Sequence, residues 1–312
     1  MSDYESERKR VSIGVDGVDE VLHGGLVPRR SYMVRGSPGA GKTLLGMHFL
    51  TQGVNEGETS LFINMGEAQE DIVEDARKFG FDTSGVEFLD LSPSSEFFVE
   101  DQSYSIFASD EVEDGFTNEI TERVGDIQPD RVFVDPLTQF RYLSSDDYQF
   151  RKQVLSFLRF LKEVEATLLF TSQDTEVTPD SDLQFMSDGI IHLEANGRRR
   201  SMRISKFRGS DYHNGSHSVR ITGEGMEVFP ELVPQDYDAE FDDETVSSGI
   251  DGLDRLLNGG IERGTVTIIS GPSGAGKTTT GTQFMTEAAA RGERSVIYMF
   301  EESKETFLHR SN

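Results

Sequence analysis

Two eight-residue runs carry the most specific chemistry in the chain. Gly36-Ser37-Pro38-Gly39-Ala40-Gly41-Lys42-Thr43 and Gly271-Pro272-Ser273-Gly274-Ala275-Gly276-Lys277-Thr278 both fit the phosphate-loop pattern G-x-x-x-x-G-K-[ST]. In that pattern glycines let the backbone wrap closely around phosphate, while loop amides and a helix N-terminus supply partial positive charge. Lys42 and Lys277 would reach the outer phosphates, and the Thr43 and Thr278 hydroxyls would ligate magnesium, so the implied ligand is ATP with Mg2+. A third run, Arg131-Val132-Phe133-Val134-Asp135, ends an apolar stretch in an acid, which the magnesium shell of a nucleotide needs nearby. Taken alone, an aspartate at a strand end more often caps a turn; the loop upstream turns the reading towards metal.

A phosphate loop needs a strand before it and a helix after it. Residues 31–35 read as a short apolar strand, those from Lys42 onward as a helix, and 60–65 as another strand. Residues 131–135 and 167–171 repeat the pattern of an apolar strand ending in polar residues. Between them Phe150, Val154, Phe157, Leu158, Leu161 and Val164 recur at helical spacing, a stripe that core packing explains. This is α/β alternation around a mostly parallel sheet. Residues 189–194, 201–207 and 217–222 look extended, with a hairpin turn expected at Asn196-Gly197.

The chain also matches itself at one fixed offset, that from Lys42 to Lys277. Gly14-Val15-Asp16-Gly17-Val18-Asp19 maps onto Gly249-Ile250-Asp251-Gly252-Leu253-Asp254, Gly24-Gly25 onto Gly259-Gly260, and Glu67 onto Glu302. A gapless match of this kind implies two copies of one structural unit. The expected organisation is a tail over 1–10, a first unit over 11–230, an acidic link over 231–246 and a second, incomplete unit over 247–312 holding only its phosphate-loop half. A strand is expected at 265–270, ahead of the second loop.

Composition bounds the rest. Asp and Glu number 56 against 30 Lys plus Arg, a formal charge of −26, and the chain has no Cys and no Trp. Only a few of the cations are Lys. This balance resembles that of proteins from salt-loving archaea, where ions screen self-repulsion and acidic surfaces maintain solubility. It opposes nonspecific nucleic-acid binding, and Arg198-Arg199-Arg200 is the only basic cluster of note. Without cysteine there is neither a disulfide framework nor a zinc-finger site, and none of the six histidines has metal-ligand spacing. No stretch is long and apolar enough to span a membrane, and the sequence reads as that of a soluble cytoplasmic protein.

The run from Gly14 to Gly25, the phosphate loop, the strand before Glu67, Asp135, and Ser205-Lys206-Phe207-Arg208-Gly209 together resemble the KaiC and RadA-like branch of the RecA ATPases. The duplicated layout resembles KaiC in particular. The resemblance implies a RecA-type P-loop NTPase fold, with a mostly parallel central sheet, helices on both faces, and an incomplete second copy. It implies slow ATP hydrolysis in a hexameric ring of this chain, with nucleotide state passed to regulatory partner proteins. In that family two adjacent glutamates follow the second strand and help to activate the attacking water. The second unit has Glu301-Glu302, whereas the first has Gly66-Glu67, one acid short. Lys206 and Arg208 match the basic pair that reaches across a subunit boundary to the neighbour's γ-phosphate, and Thr171-Ser172-Gln173 the sensor segment. Three other readings stand beside this one. A serine/threonine autokinase would place its acceptor beyond Asn312, nucleotide could act as an assembly ligand with little turnover, and DNA strand exchange is opposed by charge.

Overall fold

The computed structural model describes residues 9–92, 120–144, 146–172, 180–232 and 244–311. Most of the expected tail, most of the acidic link and Gln173 lie outside them. The chain divides after Val233 into two compact units, described separately.

In the first unit α1 (Asp16–Val21) precedes β1 (Ser31–Gly36), α2 (Lys42–Asn55), β2 (Ser60–Asn64), α3 (Gln69–Lys78) and β3 (Val86–Asp90). After them come β4 (Arg131–Asp135), α4 (Asp147–Glu163), β5 (Thr167–Ser172) and α5 (Ser181–Met186). The unit closes with β6 (Gly189–Asn196), β7 (Arg199–Phe207), β8 (His217–Thr222) and β9 (Gly225–Phe229). They form one sheet in the order β3-β2-β4-β5-β1-β6-β7-β8-β9. The first six strands are parallel and the last three join by antiparallel pairing, so the expected α/β sheet is found. The β6–β7 hairpin turns at Gly197, whose φ of +60° lies in the left-handed region.

Parallel strands covered on both faces are apolar at every position rather than at alternate ones, which is why they read as continuous runs. Tyr32, Val34, Phe62, Phe133 and Leu169 face a core shared with α1, α2 and α3. Their neighbours Met33, Ile63, Val134 and Phe170 face a second core, filled by Phe150, Val154, Phe157 and Leu161 of α4. The helical stripe is therefore core, as expected. Asp146 caps α4 by accepting the Gln149 amide at 2.8 Å.

Two polar side chains, Arg131 fully buried and His48 partly so, stitch this unit together. Arg131, completely buried at the start of β4, donates to Glu58 Oε2 at 2.6 Å, to Glu56 Oε2 at 2.7 Å and to the carbonyls of Ser12 (2.5 Å) and Phe49 (3.0 Å). His48, on α2, accepts the Met226 amide at 2.8 Å through Nε2 and meets Phe81 edge-on. Burial pushes its imidazole down to about 4, against the opposing effect of a hydrogen bond from the ring to the Gly14 backbone. The folded chain thus holds His48 neutral, while the unfolded chain protonates it near pH 6.5. Between those values the unfolded state binds more protons, so stability is present above pH 6.5 and is lost as pH falls towards 4, by about 3 kcal/mol. Urea midpoints across this window should fall more steeply for the parent than for His48→Gln. Equal slopes would show that His48 contributes nothing to acid sensitivity.

The second unit contains β10 (Thr245–Val246), α6 (Asp251–Leu256), β11 (Ile261–Glu262), α7 (Lys277–Ala290) and α8 (Lys304–Ser311). Local geometry repeats at the sequence offset. Ser12 donates to Asp19 at 2.6 Å and Ser247 to Asp254 at 2.7 Å, and Val11 bridges Leu26 as Val246 pairs with Ile261. The strand expected at 265–270, however, is not formed. In the first unit β1 is held between β5 and β6, and β2 between β3 and β4, but no described residues of the second unit provide such neighbours. Apolar side chains suited to a sheet stay in solvent, with Val266 92% and Ile268 85% exposed. Backbone ordering at about 1–2 kcal/mol per residue has nothing to offset it there. Hydrogen exchange should therefore be fast over 265–270 and slow over 31–36; equal protection would contradict this account.

Candidate nucleotide site

The first phosphate loop leaves the buried strand β1 at Gly36 and enters α2 at Lys42. A Cβ on Gly36 would lie 2.1 Å from the Leu193 carbonyl oxygen, so β6 demands glycine at this point. Gly39 has open space around it, and there its φ of +75° is the requirement; Gly41 sits at +104°. Lys42 Nζ folds back over the loop, donating to the Gly36 and Ser37 carbonyls at 2.8 and 3.1 Å. Burial lowers the pKa of this ammonium, and the charge of Asp135 works in the other direction.

Asp135 ends β4 beside the loop. It accepts the Thr43 hydroxyl at 2.5 Å on Oδ2 and the Thr171 hydroxyl on Oδ1, so α2, β4 and β5 meet at this carboxylate. Loop amides, a lysine, one hydroxyl and one carboxylate are the donor set for phosphates and for a hard cation that keeps most of its water. The residues present therefore fit a magnesium-bound nucleotide. The family described as "ATPase: KaiC" matches residues 11–233 and 246–312. This chain belongs to the KaiC ATPase family.

Circadian clock oscillator protein KaiC of Synechococcus elongatus is 29% identical over 314 residues, covering 94% of this chain and 58% of that protein. Circadian clock oscillator protein KaiC 1 of Synechocystis is 28% identical over 309 residues, covering 95% and 58%. Circadian clock protein KaiC3 of Synechocystis is 27% identical over 325 residues, covering 99% and 63%. The chain thus spans less than two thirds of the length of these relatives. No helix among its described residues is long and apolar enough to cross a membrane.

The other expected site residues divide into two groups. Glu67 follows β2 at the loop end of the sheet, exposed, and its carbonyl accepts from Asn64 Nδ2 at 2.9 Å. Lys206 and Arg208 are at the opposite end. Phe207 pairs with Gly189, which pairs with Tyr32 near the start of β1, whereas the phosphate loop begins where β1 ends. Four residues of strand, about 13 Å, separate the two levels. Within its own chain Lys206 Nζ donates to the Gln184 and Phe185 carbonyls at 2.8 and 3.1 Å. Its pKa is lowered by burial and then by the charge of Arg208. Arg208 is half-exposed, 3.8 Å from Asp188.

In this KaiC-family chain the second loop repeats the first in detail. Gly274 and Gly276 have φ of +81° and +87°, and Lys277 Nζ donates to the Gly271 and Pro272 carbonyls at 2.8 and 2.9 Å. Thr278 and Glu301 are exposed and Glu302 half-buried, with no carboxylate placed as Asp135 is among the described residues. Sequence reasoning missed three residues at or beside the site. Asn64 and Asp90 flank the Glu67 turn, and nothing in their local sequence sets them apart. Arg35, one residue before the loop, also went unnoticed; its Nε donates to buried Asp180 at 2.7 Å.

Proposed function

We propose that this chain is a slow, magnesium-dependent ATPase that hydrolyses ATP at boundaries between copies in a hexameric ring, and that it acts as a clock-like regulatory switch whose nucleotide state other proteins read. The observation that carries this reading is the separation of Lys206 and Arg208 from the phosphate loop of their own chain. Cations that complete a phosphoryl-transfer site from the far end of the sheet must serve a neighbour's nucleotide, head to tail, and a head-to-tail contact that closes makes a ring. Lys42 would bind the outer phosphates, Thr43 and Asp135 would hold magnesium, and Glu67 would orient water. When bound, magnesium supplies charge neutralisation for the transferring phosphoryl group. We take the two units as copies of one ancestral domain and assign turnover to the first, where Asp135 stands beside the phosphate loop and accepts the Thr43 hydroxyl. Gly66 favours a second reading, in which nucleotide serves mainly as an assembly ligand.

Mixing two inactive variants tests the ring directly. Glu67→Gln disables the loop side of a boundary and Arg208→Ala the cation side, and neither change removes the phosphate loop. In rings assembled from equal amounts, roughly a quarter of the boundaries join an intact loop side to an intact cation side, and turnover should return to about that fraction. A mixture no more active than its components argues against shared sites.

A further inference from the structure

Asn64 is the last residue of β2 and is completely buried. Strand register pairs it with Asp90 on β3 and with Asp135 on β4. Side chains at paired positions of adjacent strands share a face, so Asn64 stands between these carboxylates on the α2 side of the sheet. Its Nδ2 donates to the Glu67 carbonyl at 2.9 Å and to Asp90 Oδ1 at 2.8 Å. Both partners can only accept, which fixes the orientation of the amide. Asp90 accepts in turn from the amides of Gln69, at 3.0 Å, and Ser92, at 2.8 Å. The turn carrying Gly66 and Glu67 is therefore tied down from β2 and, through Asp90, from the start of α3.

The other end of the same amide is unsatisfied: Asn64 Oδ1 is buried with no hydrogen-bond partner among the described residues. An unpaired buried acceptor costs about 1–3 kcal/mol, a penalty that an apolar residue at this strand position would not incur. Such penalties, held beside reacting groups, are a mark of functional positions. The turn also has a reason to need a clamp, because Gly66 adds backbone freedom next to Glu67.

We propose that Asn64 is a positioning residue for hydrolysis, clamping the 65–67 turn so that the Glu67 carboxylate is held towards the water that attacks the nucleotide. This rests on the role given to Glu67 above. Asn64→Leu removes the clamp and the unpaired acceptor together. Its kcat should fall about tenfold or more with KM for ATP unchanged, since misplacing a reacting group by about 1 Å costs rate rather than binding. The melting temperature of the nucleotide-free chain should stay level or rise, the opposite of what a purely structural hydrogen bond would give. Asn64→Ala, which fits any strand position, should show the same kcat loss well below its own melting temperature. Parental kcat in both variants while Glu67→Gln is inactive would overturn the clamp. So would a melting temperature of Asn64→Leu more than about 5 °C below the parent's, with kcat and KM changed together. Parental turnover in Glu67→Gln would instead overturn the role of Glu67, and the clamp with it.

Discussion

Replacing Lys42 by alanine is expected to weaken ATP binding by the first unit about a hundredfold, the loss of a charge-assisted contact to phosphate worth close to 3 kcal/mol. The ammonium is already held at the loop, bonded to the Gly36 and Ser37 carbonyls, and needs only to exchange those acceptors for phosphate oxygens. Its removal leaves the Asp135 charge without the ammonium that opposes it, so like-charge repulsion adds to the missing attraction. Little packing is lost, and the melting temperature without nucleotide should barely move. Titration with a fluorescent ATP analogue reads the effect if parent and variant both carry Lys277→Ala, which silences the second loop. Affinity equal to the parent's would remove the first loop from the binding site.

The largest loss of stability is expected at Arg131. Methionine there fills much of the volume but strands the Glu56 and Glu58 carboxylates and the carbonyls of Ser12 and Phe49. Breaking one side of a buried ion pair typically costs about 3–5 kcal/mol. With the Glu58 and Glu56 side chains 18% and 34% exposed, water takes up part of the charge left behind, and the loss should fall at or below the lower end of that range. The diagnostic is the pattern of rescue. If stranded charge dominates, Glu56→Gln with Glu58→Gln should recover much of the stability of Arg131→Met, although the same pair destabilises the parent. Chemical denaturation of the four chains measures this coupling. Additive effects would reduce the network to simple packing.

Residues 131–135 show how far local sequence reaches and where it stops. The run Val132-Phe133-Val134 announced a buried strand, because that signal is local; its terminal acid was read towards metal only through the phosphate loop some ninety residues upstream. Arg131, at the head of the same run, gave no sign of being buried, since its partners come from three distant stretches of chain. Residues 265–270 teach the converse. Their pattern matches that of β1, yet β1 is a strand because β5 and β6 flank it, and 265–270 have no such neighbours among the described residues. Asn64 was invisible for a third reason: its meaning lies in register against Asp90 and Asp135, which no periodicity encodes. The phosphate loop was legible throughout because its function and its backbone geometry are written in the same eight consecutive residues.

The two ends of the first unit are also its inner seam. A Cβ on Gly17 of α1 would lie 1.9 Å from the Val228 carbonyl oxygen, and Val18 and Val21 share a core with Met226 and Val228 of β9. On the ribosome, α1 therefore emerges about 200 residues before the strand that covers it, a wait of roughly 10–40 s at 5–20 residues per second. Through that interval the apolar faces of α1 and α2 lack their final cover, while the nascent chain, close to neutral over its first 50 residues, gains net negative charge beyond them. The acidic composition thus bears on synthesis as well as on the finished surface: like-charge repulsion between nascent chains would oppose their association while the earliest core residues wait for their last cover.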